Sequence, residues 1–319
     1  MTEAEPAVPA AAKAAGLGDK LALWYVENGK VKVGVTDASG GVVTELRARL
    51  GTDAEIFQHA PIESATRLTP APADVRIVTG AAPQRAGKAV AAATTATRLL
   101  DSVPYAGGDR ITSIQTISGT QYVVQCTVSV KVLPDSGGDA MLSAGHCGPT
   151  GTVWYQGYYD SGTVYNTGIL GSTTTMQWGN GRLDGELIQG SQYGYFPYAY
   201  TTLTGLESVT GIAVTGTGSK VCTDGSFTGY KCGATITKYN VCANITEGTT
   251  VYSVCHLDIA GASSQIVQPG DSGGPVFYPN STTDVALAGT ISAQSNNGRE
   301  VLFSDAAYLQ STLGVVVPH

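Results

Sequence analysis

The sequence predicts an all-β fold for residues 101–319, preceded by a smaller α+β unit. Glycine supplies 41 of the 319 residues, above its average share of about 7%, and only 13% of residues are charged. Between residues 125 and 132 every second residue is apolar, namely Cys126, Val128, Val130 and Val132. Short apolar runs then recur between glycines, as is typical of strands in a barrel or a sandwich.

Charge divides the chain near residue 100. Residues 1–100 hold eleven of the 18 Lys and Arg and ten of the 25 Asp and Glu, and the six cysteines all lie beyond them. We therefore predict a disordered N-terminus over residues 1–19, a first unit over 20–100 and a second domain over 101–319. A single domain with an unusual N-terminus is the alternative.

The elements of the first unit follow from local patterns. Residues 21–26 and 30–35 flank Asn28-Gly29, which predicts a hairpin. Val43, Leu46 and Leu50 then recur at helical spacing. Residues 54–59 are expected to return as a strand, which completes a β-β-α-β unit. For residues 88–100, helix and linker both remain open.

In the second domain, strand-like runs alternate with glycines and one helix comes last. The runs are residues 152–155, 186–188, 234–237, 251–255 and 285–291. Ser304 is expected to cap the final helix, which Tyr308, Leu309, Thr312 and Leu313 continue and Gly314 ends.

Composition also narrows the possible functions. The net charge of −7 offers no basic face for nucleic acid. No apolar run approaches the roughly 18 residues of a membrane span. Residues 1–6 lack the basic and apolar regions of a signal peptide. There is no Cys-x-x-Cys pair or histidine cluster, so we predict neither a metal nor another cofactor.

A six-residue string is the strongest chemical signal. Residues 270–275 are Gly-Asp-Ser-Gly-Gly-Pro, whose glycines allow a tight turn around Ser272. Such a turn can point the backbone amides of Gly270 and Ser272 at one oxyanion. A bare Gly-Ser-Gly match would indicate a surface turn, but the full string is far more specific. Because a serine hydroxyl is a weak nucleophile, a base must take its proton.

Four histidines are available as that base. His146 lies in the string Ser-Ala-Gly-His-Cys, where a disulfide at Cys147 would hold the loop. His256 also follows a cysteine but lacks a comparable string, His59 belongs to the first unit, and His319 is terminal. We therefore predict His146 as the base.

A carboxylate should orient the imidazole of that base. Asp184 lies between His146 and Ser272 and leads into an apolar run, so its side chain can be partly buried. Asp160 lies among Tyr, Ser and Gly and suits a solvated turn, and Asp139 is only seven residues from His146. We therefore predict Asp184.

The order His146, Asp184, Ser272 within these strings resembles the chymotrypsin-like serine endopeptidases, and among them the bacterial streptogrisin and α-lytic protease branch. Residues 107–111 resemble the N-terminal segment of those mature enzymes, and residues 289–292 resemble their substrate-binding strand. The resemblance covers about residues 104–315. It implies two six-stranded antiparallel β-barrels, with the triad in the cleft between them, and a C-terminal helix.

The resemblance extends, more weakly, to a pro-region. Residues 20–100 resemble the pro-regions of that branch, which assist folding and block the active site. We therefore expect the first unit to inhibit the second domain as an intramolecular partner. Removal of the pro-region is expected between residues 99 and 106.

The sequence departs from the family pattern at several positions. Glu186 stands where a small residue is usual, and the cysteine that usually precedes the serine is absent, with Gln268 or Ile266 at its place. Two alignments of the serine loop put the base of the specificity pocket at Ile266 or Ser264. Neither is acidic, so we predict no preference for Lys or Arg. Ser292 and Gln294 belong to the substrate-binding positions, and Gln294 stands where a glycine would open the pocket.

Six cysteines allow 15 pairings. The resemblance implies Cys126–Cys147, the turn residues between Cys222 and Cys232 suggest a staple across a hairpin, and Cys242–Cys255 remains. Three disulfides are typical of an oxidising compartment.

We therefore predict an extracellular, monomeric serine endopeptidase that is made as a precursor and cleaves polypeptides. The alternative is a weak or inactive homologue on the same fold that acts as a binding protein, which the altered pocket suggests.

Overall fold

The computed structural model describes residues 7–80 and 96–318. Over these ranges the fold is mostly β, as predicted, with three α-helices. They are α1 (Ala7–Ala14), α2 (Gly40–Leu50) and α3 (Ala306–Leu313). In the described part of the chain, no helix has the length and apolar character needed to cross a membrane.

The strands of the described residues form two sheets, of ten and thirteen strands. The ten-stranded sheet contains β5 (Arg67–Pro70), β6 (Arg76–Thr79), β8 (Arg110–Ile117), β9 (Thr120–Thr127), β10 (Lys131–Pro134), β11 (Ala140–Ser143), β12 (Val153–Asp160), β13 (Thr163–Gln177), β14 (Gly185–Gln189) and β23 (Val315–Val316). The other contains β1 (Leu21–Glu27), β2 (Lys30–Val35), β3 (Glu55–Gln58), β4 (Glu63–Ser64), β7 (Tyr105–Gly107), β15 (Tyr195–Tyr200), β16 (Leu206–Ile212), β17 (Lys220–Gly225), β18 (Gly229–Glu247), β19 (Thr250–Gly261), β20 (Pro275–Pro279), β21 (Asp284–Ser295) and β22 (Glu300–Asp305).

The first unit has the predicted β-β-α-β order. Asn28 and Gly29 both adopt positive φ, 52° and 76°, and they join β1 to β2. Strand β3 pairs parallel to β2, with α2 as the crossover between them. The hairpin then joins the larger sheet, because β1 pairs with β18 at Leu23 and Trp24.

The disorder predicted for residues 1–19 is wrong where the structure describes them. Residues 7–14 form α1, in which Val8 and Ala12 are buried. These two residues are four apart and pack in one apolar cluster with Trp24 and Leu46. The Ala-rich composition did not indicate that Val8 and Ala12 form one apolar face. Such a small face is enough to stabilise a short helix when the hairpin and α2 cover it. Residues 1–6 lie outside the described residues.

The alternating segment at residues 125–132 is buried as predicted, but it is not one strand. Strand β9 ends at Thr127 and β10 begins at Lys131. In between, the backbone bonds to other parts of the fold, since the Thr127 amide donates to the Ser272 carbonyl at 2.8 Å. The Ser129 amide donates to the Leu142 carbonyl at 2.7 Å. The interruption therefore joins the serine turn to β9.

The C-terminal helix is present, but Ser304 does not cap it. Asp305 does, since its Oδ1 accepts from the amides of Ala307 at 2.9 Å and Tyr308 at 3.1 Å. Gly314 ends the helix with φ 62°, as predicted. Ser304 lies in β22, and its hydroxyl donates to the Asp184 carbonyl at 2.8 Å.

The segment just before residue 100 packs with the second domain. Arg98 is buried and its Nη1 lies 2.8 Å from Asp224 Oδ1. Asp101 is fully buried and accepts the Tyr200 hydroxyl at 2.6 Å. Of residues 88–100, for which helix and linker were both open, residues 88–95 lie outside the described residues.

Candidate active site

The three predicted triad residues converge at loops that leave separate strands. His146 lies in a 3₁₀ turn, Gly145–Cys147, directly after β11, and Asp184 immediately precedes β14. Strands β11 and β14 are paired, so the two loops start side by side. Ser272 lies in the turn before β20. All three side chains are buried.

A chain of hydrogen bonds links these side chains. His146 Nδ1 lies 2.6 Å from Asp184 Oδ2, and His146 Nε2 lies 2.7 Å from Ser272 Oγ. When Nδ1 carries the proton and donates it to the carboxylate, Nε2 is free to accept the serine proton. The geometry is therefore that of a nucleophile, a base and an orienting group.

The carboxylate of Asp184 is held by two further donors. The His146 amide donates to Oδ1 at 3.0 Å, and the Ser292 hydroxyl donates to Oδ2 at 2.5 Å. Ser292, predicted as a substrate-binding residue, thus holds the Asp184 carboxylate through its hydroxyl. These bonds determine which oxygen faces the imidazole.

The charge of Asp184 sets the basicity of His146. Burial alone would lower the pKa of His146, because a charged imidazolium loses its hydration there. The Asp184 charge and its hydrogen bond outweigh that effect and raise the pKa of His146 above its ordinary value of 6.5. The imidazole is therefore a stronger base than a free histidine.

The glycines of the serine turn are required by close packing. Gly270 has φ 105°, and a Cβ there would lie 2.2 Å from the Phe227 ring. Gly273 has φ 84°, and its Cβ would lie 2.1 Å from Ser143 Oγ. Asp271 ties the turn to the 227–228 loop, accepting the Phe227 amide at 2.9 Å. Together these contacts fix the backbone around Ser272.

Residues of the first unit occupy the cleft at Ser272. The Ala65 carbonyl oxygen accepts the amides of Gly270 at 2.5 Å and Ser272 at 3.2 Å. These are the two amides predicted to hold an oxyanion. Strand β4, just before Ala65, pairs antiparallel with β21, where Ser64 faces Ala293. Neither sequence pattern nor resemblance indicated Ala65, because its position depends on pairing between segments more than 200 residues apart.

Ile266 and Ser264 were the two alternatives for the base of the specificity pocket, and only Ile266 lies near Ala65. Ile266 is buried and lies in the same apolar cluster as Ala65. Ser264 is exposed. Gln294 is half-buried and pairs with Glu63 in the β4–β21 ladder.

Three further side chains near His146 were not predicted. The Trp178 ring lies 4.8 Å from the His146 ring, and Tyr252 lies 5.0 Å beyond Trp178. Burial raises the pKa of Glu247, and its charge acts on His146. Lone aromatic and acidic residues carry no local signal that could have identified them.

The competing candidates lie elsewhere. Asp139 forms an ion pair with Lys131 at 2.9 Å, and Asp160 is an exposed acceptor for its neighbour Ser161. His59 Nδ1 lies 2.7 Å from the Ala60 carbonyl.

Of the other two histidines, His256 stacks on Tyr308, with ring centres 4.2 Å apart. His319 lies outside the described residues.

The unusual Glu186 is accommodated by burial. Its Oε2 accepts the Thr173 hydroxyl at 2.7 Å, and Thr173 in turn accepts Trp154 Nε1 at 3.0 Å. Burial raises the pKa of Glu186 well above its ordinary value. Glu186 is therefore held by Thr173, and the Asp184–His146 contact is intact.

The three predicted disulfides are present. They are Cys126–Cys147, Cys222–Cys232 and Cys242–Cys255. The first ties β9 to the histidine loop, and the second crosses the β17–β18 hairpin.

Comparison with known proteins supports the chymotrypsin-like class. No protein-family model matches the chain. Streptogrisin-C from Streptomyces griseus is 28% identical over an alignment of 316 residues. The match covers 88% of this chain and 63% of that protein. The chain thus spans less than two thirds of that relative's length.

One solved structure shows the fold, and a second is reported beside it. A glutamic acid-specific serine protease aligns with a TM-score of 0.50 at 19% identity, over 66% of this chain and 98% of that one. Nocardiopsis protease aligns with a TM-score of 0.49 at 22% identity, over 67% of this chain and 98% of that one. The predicted resemblance to the bacterial chymotrypsin-like serine proteases is confirmed.

Proposed function

We propose that the chain is a serine endopeptidase. One observation carries the proposal: Asp184, His146 and Ser272 form a hydrogen-bonded series, and the backbone amides of the serine turn already bind a carbonyl oxygen of the chain, that of Ala65. A substrate carbonyl in the same place would lie beside the nucleophile and its oxyanion donors.

Each group has a defined task in that reaction. Ser272 Oγ attacks the peptide carbonyl while His146 Nε2 takes its proton. The Gly270 and Ser272 amides stabilise the negative oxygen, and Asp184 stabilises the imidazolium. His146 then protonates the leaving amine, and a water molecule releases the acyl group by the same steps in reverse.

We further propose that the enzyme is secreted and made as a latent precursor. Three disulfides support an oxidising compartment. Latency is supported by the first unit, because the segment around Ala65 fills the cleft that a substrate would need. Activity should therefore rise when residues of the first unit are removed.

The test is covalent labelling of Ser272. After digestion of the first unit with immobilised trypsin, a fluorophosphonate should label the wild type at Ser272, and denatured protein should be hydrolysed. Ser272→Ala should abolish both. Wild-type chain that is neither labelled nor active after this treatment would instead favour the binding-protein alternative.

A further inference from the structure

An extended segment of the first unit crosses the cleft on both sides of Ser272. Before the serine, β4 pairs antiparallel with β21. Beyond it, β5 pairs antiparallel with β9 over four residue pairs, beginning with Arg67 and Gln125. Only Ala65 and Thr66 lie between β4 and β5. An inhibitor that ended at the serine would contact one side alone, whereas this segment is placed like an uncut substrate.

Ala65 presents the reacting bond of this segment. Its carbonyl oxygen lies 2.5 Å from the Gly270 amide and 3.2 Å from the Ser272 amide, and its own amide donates to the Ser292 carbonyl at 3.4 Å. Ser272 Oγ, 2.7 Å from His146 Nε2, belongs to the same turn as those donors. The carbonyl of Ala65 is therefore polarised by two amides of the turn that carries the nucleophile, as a hydrolysable peptide requires.

We propose that the Ala65–Thr66 peptide bond is the bond that this chain cuts in itself, and that the enzyme selects a small apolar residue before the cut. The proposal rests on the proposed function, since Ser272 must be an active nucleophile. It replaces the expected cleavage between residues 99 and 106.

The reaction is a hydrolysis that consumes one water. Ser272 Oγ forms an ester with the Ala65 carbonyl carbon, and its proton passes to His146 Nε2. The C–N bond to Thr66 breaks, and His146 gives that proton to the Thr66 nitrogen. Water then attacks the ester, which leaves the Ala65 carboxylate and restores the Ser272 hydroxyl.

The preference for a small residue follows from the packing of Ala65. Its side chain is fully buried in a cluster that also contains Ile266, Val267 and Ile291. Ile266 is itself fixed, because its amide donates to Gly298 and its carbonyl accepts Thr223. A larger side chain would have to displace these groups, and overpacking of this kind costs about 1–3 kcal/mol.

The segment originally expected to be cut is poorly placed for cleavage. Asp101 and Ser102 are fully buried, and Tyr105–Gly107 is strand β7, paired with β15. A protease needs an extended, accessible backbone, so this region would have to unfold first.

A cut at Ala65 would divide the chain unequally. The fragment 1–65 has no cysteine, so no disulfide would hold it to the rest. The fragment from Thr66 onward would keep β5 on β9 and β6 on β13. Residues 66–80 would therefore remain with the second domain after the reaction.

The experiment follows the full-length chain over time by N-terminal sequencing and intact mass under non-reducing denaturing conditions. The wild type should yield a new N-terminus at Thr66, with a rate constant that does not change over a roughly tenfold range of protein concentration. Ser272→Ala should remain a single chain. A first new N-terminus at any other residue would overturn the proposal.

Substitutions test the pocket. Ala65→Phe should slow the cut about tenfold or more. The matched control Ala73→Phe, at an exposed position beyond β5, should leave it unchanged. Equal rates for both variants would refute the preference for a small residue. If Ala65→Phe does not fold, peptides of sequence 61–70 with Ala or Phe at position 65 give the same comparison in trans.

The two proposals fail in different ways. Wild-type chain that reacts with a fluorophosphonate and hydrolyses denatured protein, yet never exposes Thr66, would overturn only the self-cleavage. Chain that is unreactive in all three assays would overturn both.

Discussion

Replacing Asp184 by Asn tests the triad with almost no change in shape. The Asp184 carboxylate accepts three hydrogen bonds, from the His146 amide at 3.0 Å, from His146 Nδ1 at 2.6 Å and from the Ser292 hydroxyl at 2.5 Å. An amide side chain keeps one acceptor oxygen. If that oxygen stays on the His146 amide, the NH₂ group faces Nδ1, which must then be the acceptor.

An amide NH₂ facing Nδ1 forces the imidazole proton of His146 onto Nε2, the nitrogen that must accept the serine proton. With Nδ1 accepting, the proton lies on Nε2, which is 2.7 Å from Ser272 Oγ and can no longer take its proton. The opposite amide orientation sets two donors against each other at the His146 amide, which costs about 1–3 kcal/mol. We therefore expect Asp184→Asn to lower reactivity about 10⁴-fold, equivalent to roughly 5.5 kcal/mol of transition-state stabilisation.

The assay is the second-order rate of fluorophosphonate labelling at pH 7.5, so that turnover of a particular substrate is not needed. Immobilised trypsin first digests every variant at the accessible sites before Arg98, since ten of the 18 Lys and Arg lie within residues 1–97 and Arg98 itself is buried. Asp139→Asn is the matched control, because Asp139 pairs with Lys131 away from the site. A labelling rate for Asp184→Asn within tenfold of the wild type would refute the assigned role.

Three further predictions concern pH and stability. Because the pKa of His146 is raised above 6.5, the labelling rate should fall as pH decreases toward and below that raised value, approaching tenfold per pH unit; a flat profile down to pH 5 would contradict this. Replacing Cys126 and Cys147 together by Ala opens a link with a sequence separation of 21 and should cost about 3 kcal/mol in urea unfolding; a loss below about 1 kcal/mol would exclude that contribution. Burial raises the pKa of Asp258 to about 8, so the folded state retains a proton that the unfolded chain releases near pH 4. This contribution is full below about pH 4 and is lost as pH rises toward 8, by up to about 1.4 kcal/mol per pH unit. Asp258→Asn should therefore flatten the decline of unfolding free energy over that range, and an unchanged slope would count against it.

Features with a local cause could be predicted from the sequence. The Asn28-Gly29 turn needs positive φ at both residues, and the structure has it. The serine and histidine strings specify turns whose glycines leave room for close neighbours, as at Gly273. Asp184 could be proposed because a carboxylate before a buried strand is held by its surroundings. In each case the physical cause lies within a few residues of the signal.

Features that depend on distant pairing could not be predicted. Ala65 reaches the serine turn only because β4 pairs with β21, and nothing in its own neighbourhood distinguishes it. Ser292 reaches Asp184 across 108 residues. The cap of the last helix moved from Ser304 to Asp305 because Ser304 lies in β22 and bonds to the Asp184 backbone.

The boundary near residue 100 was drawn from charge counts, and Arg98 shows why such counts can mislead. They assign Arg98 to the first unit. Its guanidinium instead donates to Asp224 at 2.8 Å from Nη1, and to the Gly108 carbonyl at 3.0 Å and 2.7 Å from Nε and Nη2. The partners of Arg98, unlike its position in the sequence, show which unit it packs with. The Arg98–Asp224 ion pair is buried within the second domain.

The same ion pair limits where the chain can be cut without disturbing the second domain. Burial raises the pKa of Asp224 to about 6, and Arg98 counteracts that rise. Loss of one partner from a buried pair costs about 3–5 kcal/mol. A cut after residue 98 would leave Arg98 without a covalent link to the domain that needs it. Asp224 is adjacent to Gly225, which packs so closely on Asp271 that a Cβ at Gly225 would lie 2.0 Å from the Asp271 carboxyl carbon. Disorder at Asp224 would therefore extend to Asp271 and the serine turn. A cut at Ala65 keeps Arg98 covalently attached, which favours an active form that begins well before residue 98.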